Sequence, residues 1–251
     1  MVDFLRGPRA LRGAVLWTVL RDALADRAAA TGSASLEVLD AGGGTGSLAV
    51  PLASLGHQVT VVDPSPDALA ALTRRATESG VAERVRGLQG DVEGLPSLLA
   101  PASADAVLCH GVLETVDDPA VALAGLVHNL RPGGILSVLA ANRQAVVLSR
   151  ALAGHFAAAR DALVEPAGQR EVPVAGPRRF ASDELVELLA SAGLQVQRVC
   201  GIRIFSDLVP GALLDAESRN TEDLLALEAA AAEHPAFREL ATQLHLLASA
   251  R

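Results

Sequence analysis

The chain has 251 residues, half of them hydrophobic, with a net charge of −8 and a pI near 5.2. That acidic balance excludes the broad basic field of a generic polyanion binder, though not a local arginine patch, and the length suits one large α/β domain or a domain with a cap. All 21 basic residues are arginine, the two cysteines form no Cys-x-x-Cys pair, and the six histidines lack metal-ligand spacing, so neither a disulfide framework nor a metal site is expected.

The first ten residues carry Asp3, Arg6, Pro8 and Arg9 where a signal sequence would be apolar. No run of about 18 uncharged apolar residues offers a membrane span. The expectation is a soluble cytoplasmic protein that does not engage a membrane. An N-terminal helical segment covers residues 8–30: within 10–29, Leu11, Val15, Val19, Leu20 and Leu24 fall near one face. Residues 36–41 read as a buried strand, and residues 42–46, GGGTG, as a tight turn into a helix over 47–55. Three adjacent glycines remove every Cβ from that turn, so its backbone can lie against a ligand, with the next helix N-terminus aimed the same way. Asp40 stands at the end of the strand beside this gap.

A second strand over 58–62 ends at Asp63, and the Asp63-Pro64-Ser65-Pro66 turn opens a helix over 66–78. An acid just past the second strand can accept hydrogen bonds from two ribose hydroxyls, or it can cap the next helix. A third strand over 85–89 leads to Gly90-Asp91-Val92-Glu93. Asp91 would lie near the ligand's base if the sheet is doubly wound, or serve only the turn. A short helix over 95–99, a strand over 104–109, a helix over 119–130 and a strand over 135–140 follow, the last entered through the turn 131–134. Five strand–helix units in series predict an α/β fold, a doubly wound, mostly parallel sheet with helices on both faces. Residues 141–180 break the alternation: 144–163 looks helical and 165–177 is rich in Pro and Gly, which suggests a lid over the substrate. A helix over 182–192 capped by Ser182, a strand over 194–204, a helix over 221–233 capped by Thr221 and a final strand over 243–250 complete the chain.

The glycine turn alone leaves the cofactor open, since Gly44–Ala49 can be fitted to a dinucleotide pattern and Gly42, Gly44 and Gly46 to a nucleoside methyl-donor site. The ordered set VLDAGGGTG, VVDPSPDAL, GD, LCHGVLETVDDP and LRPGGIL resembles class I S-adenosylmethionine (SAM) methyltransferases. That resemblance implies a seven-stranded Rossmann-like sheet whose last strand is antiparallel, with SAM as cofactor, S-adenosylhomocysteine as product and no metal.

LRGAVLW (11–17), HGVLETVDDP (110–119), Asn142, AGHF (153–156), GIRIFSDL (201–208), LALEAAAAEHPAFREL and LHLLASAR are similar to the bacterial tRNA 5-carboxymethoxyuridine methyltransferases. Those enzymes methylate the carboxylate of a modified wobble uridine in tRNA. By that likeness Arg12 meets the SAM carboxylate, Asp40, Gly42, Gly43 and Gly44 approach the donor, and Asp63 with Pro64 holds the ribose. Asp91 and Val92 lie at the adenine, and His110 sits against the cofactor. Asn142, Arg143, Arg150, Arg178, Arg179 and Arg203 are the expected contacts to an anionic acceptor.

A carboxylate nucleophile is ionised at neutral pH and needs no general base, so alignment and desolvation carry the expected chemistry and no catalytic residue is assigned. His110 is a base only for a different acceptor; Glu114 reads as a helix-start or packing residue, and Cys109 as core. The acidic total also admits a small acid or natural-product scaffold as acceptor, and a non-catalytic SAM-binding regulator stands as a third reading.

Overall fold

The structure, a computed structural model, describes residues 8–164, 178–210 and 218–250, and at residues 8–12 and 218 this covers the backbone. The chain runs α1 (Pro8–Thr31), β1 (Glu37–Ala41), α2 (Ala49–Ser54), β2 (Gln58–Asp63), α3 (Pro66–Glu78), β3 (Val85–Gln89), α4 (Leu95–Leu98), β4 (Ala104–His110), α5 (Pro119–Asn129) and β5 (Leu130–Ala141). It continues through α6 (Gln144–Leu152), α7 (Phe156–Val164), α8 (Ser182–Ser191), β6 (Leu194–Ile202), α9 (Ser218–Ala231), α10 (Pro235–Arg238) and β7 (Gln243–Ala250).

The seven strands form one sheet in the order β3-β2-β1-β4-β5-β7-β6. Strands β1 to β5 pair in parallel, and β7 inserts antiparallel between β5 and β6. Alternate residues feed two apolar layers, as the two-residue period of a strand requires. Leu39, Val107, Cys109, Leu136, Val138 and Leu246 pack on the layer with Leu123, Leu126, Leu185 and Leu189 of α5 and α8. Val38, Ala106, Leu108 and Ile135 pack on the other with Leu20, Leu24, Leu52 and Leu72 of α1, α2 and α3. Strand order reverses between β1 and β4, so the loops after those strands diverge and leave a crevice at their C-terminal ends, where ligands bind in open α/β sheets.

Several expected boundaries move for identifiable reasons. The helix expected over 144–163 is two helices: Gly154 takes φ +77, its N–H bonds Ala151 O, and Arg150 Nη1 crosses the break to Ala158 O at 3.0 Å. Ser182 does not cap α8. Its hydroxyl donates to the Glu239 carboxylate at 2.8 Å, while Glu184 Oε2 reaches back to accept the Ala181 N–H at 2.9 Å. Thr221 lies inside α9, which begins at Ser218. The turn over 131–134 is a bulge within β5, with Ala104 opposite Leu130 and Ala106 opposite Ile135. It is held from α1: Arg27 donates to Pro132 O, Gly133 O and Asp105, and Arg131 donates to Asp105 at 2.6 Å.

Candidate functional site

The crevice is built from three loops, each leaving the C-terminal end of a strand. After β1, Gly42 takes φ +74, and a Cβ there would collide with Val112 of the loop after β4. A Cβ on Gly43 would run into the Asp40 carboxylate. The turn is therefore closed to side chains on two sides and can present only backbone to a ligand. After β2, Asp63 is buried and holds both neighbouring turns. Its Oδ2 accepts the Gly44 N–H and its Oδ1 the Ser65 N–H, each at 2.9 Å. The cap of α3 is Ser65, whose Oγ accepts the Ala68 N–H at 3.2 Å, so Asp63 is not spent on capping.

Between these loops lies a cavity of about 390 Å³, lined by residues that include Gly42, Asp63, Pro64, Asp91, Val92 and Val112. Asp91 lines the cavity, and its Oδ1 accepts the Gly94 N–H at 2.7 Å. Val92 presents to the cavity and also packs in the core. Sequence reasoning missed the wall formed by Gly111, Thr115, Val116 and Asp117, because a loop after a strand has no periodicity to read.

The electrostatics favour a cation. Asp40 is fully buried, and burial, with the Asp63 carboxylate as the second cause, pushes its carboxyl up to about 7. Among the described residues no arginine pairs with Asp40 or Asp63. A buried carboxylate without a counter-charge is costly to ionise, and a positively charged ligand relieves that cost. SAM carries a sulfonium and an ammonium, so the residues present fit it. Of the residues expected at the cofactor, Gly42, Asp63, Pro64, Asp91 and Val92 line the cavity, whereas Asp40, Gly43, Gly44 and His110 are not among its lining. No group of His, Cys, Asp or Glu among the described residues could hold a metal ion.

At the end of β4, His110 belongs to a polar line buried in the sheet. Its Nε2 lies 2.8 Å from Ser137 Oγ on β5, and Ser137 Oγ lies 2.8 Å from Nε2 of His245 on β7. The hydroxyl has one proton, so it donates to one ring and accepts from the other. Burial pushes His110 down to about 4, and His245 is lowered as well, by burial first and then by His110. Neither ring is charged at neutral pH.

The residues expected to meet an acceptor are mostly engaged elsewhere. Asn142 is a junction: its Nδ2 donates to Glu239 O and Ala241 O, its Oδ1 accepts the Gln144 N–H and its own N–H bonds Thr242 O. Arg143 pairs with Glu184 at 2.7 Å, and Arg203 with Asp207 at 2.6 Å. Arg150 is held by Ala158 O, and Arg178 by Val116 O and Asp117 O. Among the described residues only Arg179 of this set leaves its guanidinium without a bonded partner. The side chain of Arg12 lies outside the described residues, as does the whole Pro/Gly-rich stretch 165–177.

Glu114 is neither a helix start nor simple packing. Its Oε1 accepts the Ala141 N–H at 2.8 Å, tying the loop after β4 to the end of β5. Burial raises its pKa, with the hydrogen bonds and Arg179 acting the other way. Cys109 packs in the core as expected, and burial raises its thiol pKa far above the usual range. The two late motifs, 201–208 and 225–240, meet at Glu228. This buried carboxylate accepts the backbone N–H groups of Ile204, Phe205 and Ser206 at 2.7 to 2.9 Å.

A family model described as a methyltransferase domain matches residues 39–138, the span that carries β1 to β5 and the crevice. A tRNA 5-carboxymethoxyuridine methyltransferase of Escherichia coli is 34% identical over 197 residues, covering 78% of this chain and 72% of that protein. A ubiquinone biosynthesis O-methyltransferase of Xylella fastidiosa is 33% identical over 169 residues, covering 66% of this chain and 63% of that protein. A solved SAM-dependent methyltransferase of Thermotoga maritima, described as a possible histamine N-methyltransferase, superposes with a TM-score of 0.56 at 21% identity, over 86% of this chain and 83% of that one. At that identity the superposition speaks for the fold, which is the Rossmann-like methyltransferase fold expected. Kinship of this extent is shared by sequence and by the crevice that the sequence builds: the chain belongs to the SAM-dependent methyltransferases.

Proposed function

We propose that the chain methylates the carboxylate of a 5-carboxymethoxyuridine-type wobble nucleoside in tRNA. The observation that carries this reading is the chemistry of the polar groups at the end of β4. His110 is pushed down to about 4 and its Nε2 is taken by Ser137, so it is a weak base at neutral pH. Glu114 is turned to the Ala141 N–H. A carboxylate acceptor is already ionised and asks for no proton acceptor. The likeness to the Escherichia coli enzyme, over 78% of this chain, supports the same acceptor.

When bound, SAM supplies an electrophilic methyl on a sulfonium. The chain's own part is alignment. Asp40 offers negative charge to the cationic end, Asp63 fixes the glycine turn and the ribose side, and the cavity wall orients the base. The helices α6 and α7 would act as a lid on the side from which an acceptor approaches. Holding the nucleophile dry and in line is the catalytic contribution expected of such a site.

A second reading is a small acidic or natural-product acceptor. It is favoured by the net charge of −8 and by the internal partners of Arg143, Arg150, Arg178 and Arg203, because backbone binding to tRNA draws on free clustered cations. One assay separates the two. Labelled SAM is incubated with the protein, with tRNA lacking the ester, and with a small-molecule extract. The first reading expects alkali-labile label in the wobble nucleoside; label confined to the extract would establish the second.

A further inference from the structure

We infer that Arg178 is a positioning residue for the adenosine end of the cofactor. It rests on the reading of the cavity as the SAM site, and not on the identity of the acceptor. Arg178 lies far in sequence from the glycine turn, β2 and the loop after β3. It nevertheless closes the cavity from behind. Its Nη1 donates to Val116 O at 3.0 Å and its Nη2 to Asp117 O at 3.2 Å, and both Val116 and Asp117 line the cavity. Its backbone N–H donates to Glu114 O at 3.1 Å. Three bonds from one residue thus hold Glu114, Val116 and Asp117 of an otherwise irregular wall.

The residue is itself fixed by its neighbours. The Phe180 N–H bonds Ala141 O at 2.9 Å, the Arg143 N–H bonds Phe180 O at 2.9 Å, and the Ala141 N–H bonds Glu114 Oε1 at 2.8 Å. Residues 178–180, the end of β5 and the wall loop therefore form one hydrogen-bonded clasp. The loop from Gly111 to Asp118 has little internal bonding beyond the turn in which the Thr115 N–H and hydroxyl both bond Val112 O. Without the guanidinium fork, the carbonyls of Val116 and Asp117 lose donors and the wall is free to relax away from the base. A planar fork suits two successive carbonyls better than a single ammonium would.

Calorimetry with S-adenosylhomocysteine and with adenosine tests this, using the whole protein. Arg178→Ala is expected to weaken both by about tenfold, the size of a charge-assisted hydrogen-bond pair. Arg178→Lys, which keeps the charge and loses the fork, should fall between it and wild type. Asp40→Asn serves as the contrast: it should alter binding of S-adenosylhomocysteine and spare adenosine. A merely structural role would lower the melting temperature of Arg178→Ala while leaving both affinities within twofold below the melt, and that result overturns the inference. If Arg178→Ala does not fold, the Lys variant decides by the same criterion. Wild-type protein that binds neither ligand would overturn the reading of the cavity itself.

Discussion

Asp63 Oδ2 accepts the backbone N–H of Gly44 at 2.9 Å, so the carboxylate at the end of β2 holds the glycine turn that leaves β1. The residue expected to grip the ribose is thus also the clamp on the neighbouring loop. Its two functions cannot be separated by truncation. Asp63→Ala removes the bonds to Gly44 and Ser65 together and leaves two N–H groups short of acceptors, at a cost of about 1–3 kcal/mol each where they are buried. SAM affinity is expected to fall by at least about tenfold, with a drop in melting temperature. Asp63→Asn keeps one acceptor oxygen but turns an NH2 donor toward the other N–H, so it should recover at most one of the two bonds and little of the affinity. Calorimetry and thermal melts on both variants check this; unchanged SAM affinity in Asp63→Ala would contradict it.

The close approach of Gly43 to Asp40 makes a sharper test. Any Cβ at position 43 meets the buried carboxylate, so Gly43→Ala must displace Asp40 or bend the turn. Fluorescence titration should show SAM binding lost by about a hundredfold or more. Gly80→Ala is the control, because a Cβ there meets nothing and the position lies outside the crevice, although its φ of +69 brings its own strain.

Asp40 also sets an expectation for pH. Its folded pKa, about 7, lies above the ordinary 3.8, so the folded state holds a proton that the unfolded state has released between those values. Stability from this group is full below 3.8 and is lost as pH rises through 7, with a slope of up to about 1.4 kcal/mol per pH unit. His110 has the opposite sign. Its folded pKa of about 4 lies below 6.5, so its contribution is present above 6.5 and is lost as pH falls towards 4. The two oppose each other over the shared window. Asp40→Asn should therefore steepen the loss of stability on acidification from pH 6.5 to 4. SAM binding to wild type should tighten from pH 6 to 8 as Asp40 ionises, and Asp40→Asn should flatten that profile. Chemical denaturation and calorimetry across pH measure both.

Ser137 is a hinge between two neutral imidazoles. Ser137→Ala strands Nε2 of both His110 and His245 in a buried setting, and a cost of about 2–4 kcal/mol is expected from two unsatisfied groups. Ser137→Thr, which keeps the hydroxyl, should lose less. Urea denaturation of the two variants separates loss of the hydroxyl from loss of shape.

Asp105 gathers Arg27 of α1, Arg131 of the β5 bulge and the Glu37 N–H of β1, on the side of the sheet away from the crevice. Asp105→Ala leaves Arg27 without its carboxylate, and about 3–5 kcal/mol of destabilisation is expected. SAM affinity, measured well below the lowered melt, should stay within about threefold of wild type.

Much of the fold was legible in the chain, because the signals are local. Short, mostly apolar runs over β1, β2 and β4, glycines after β1 and α2, and the Ser65-Pro66 start of α3 each act within a few residues. The glycine turn with Asp40 and Asp63 could likewise be read from order and spacing. Tertiary structure decided what depends on long-range partners: which of the arginines stay free, that Ser182 serves Glu239 and not its own helix, that Ser137 links two histidines, and that Arg178 backs the cavity wall. These choices follow from which buried donors and acceptors lack a partner once the sheet has formed. A side chain commits to the nearest unsatisfied group in space, whatever its distance along the chain. Sequence therefore set the elements and the cofactor loops of this protein, and the satisfaction of buried polar groups set the roles of the residues around them.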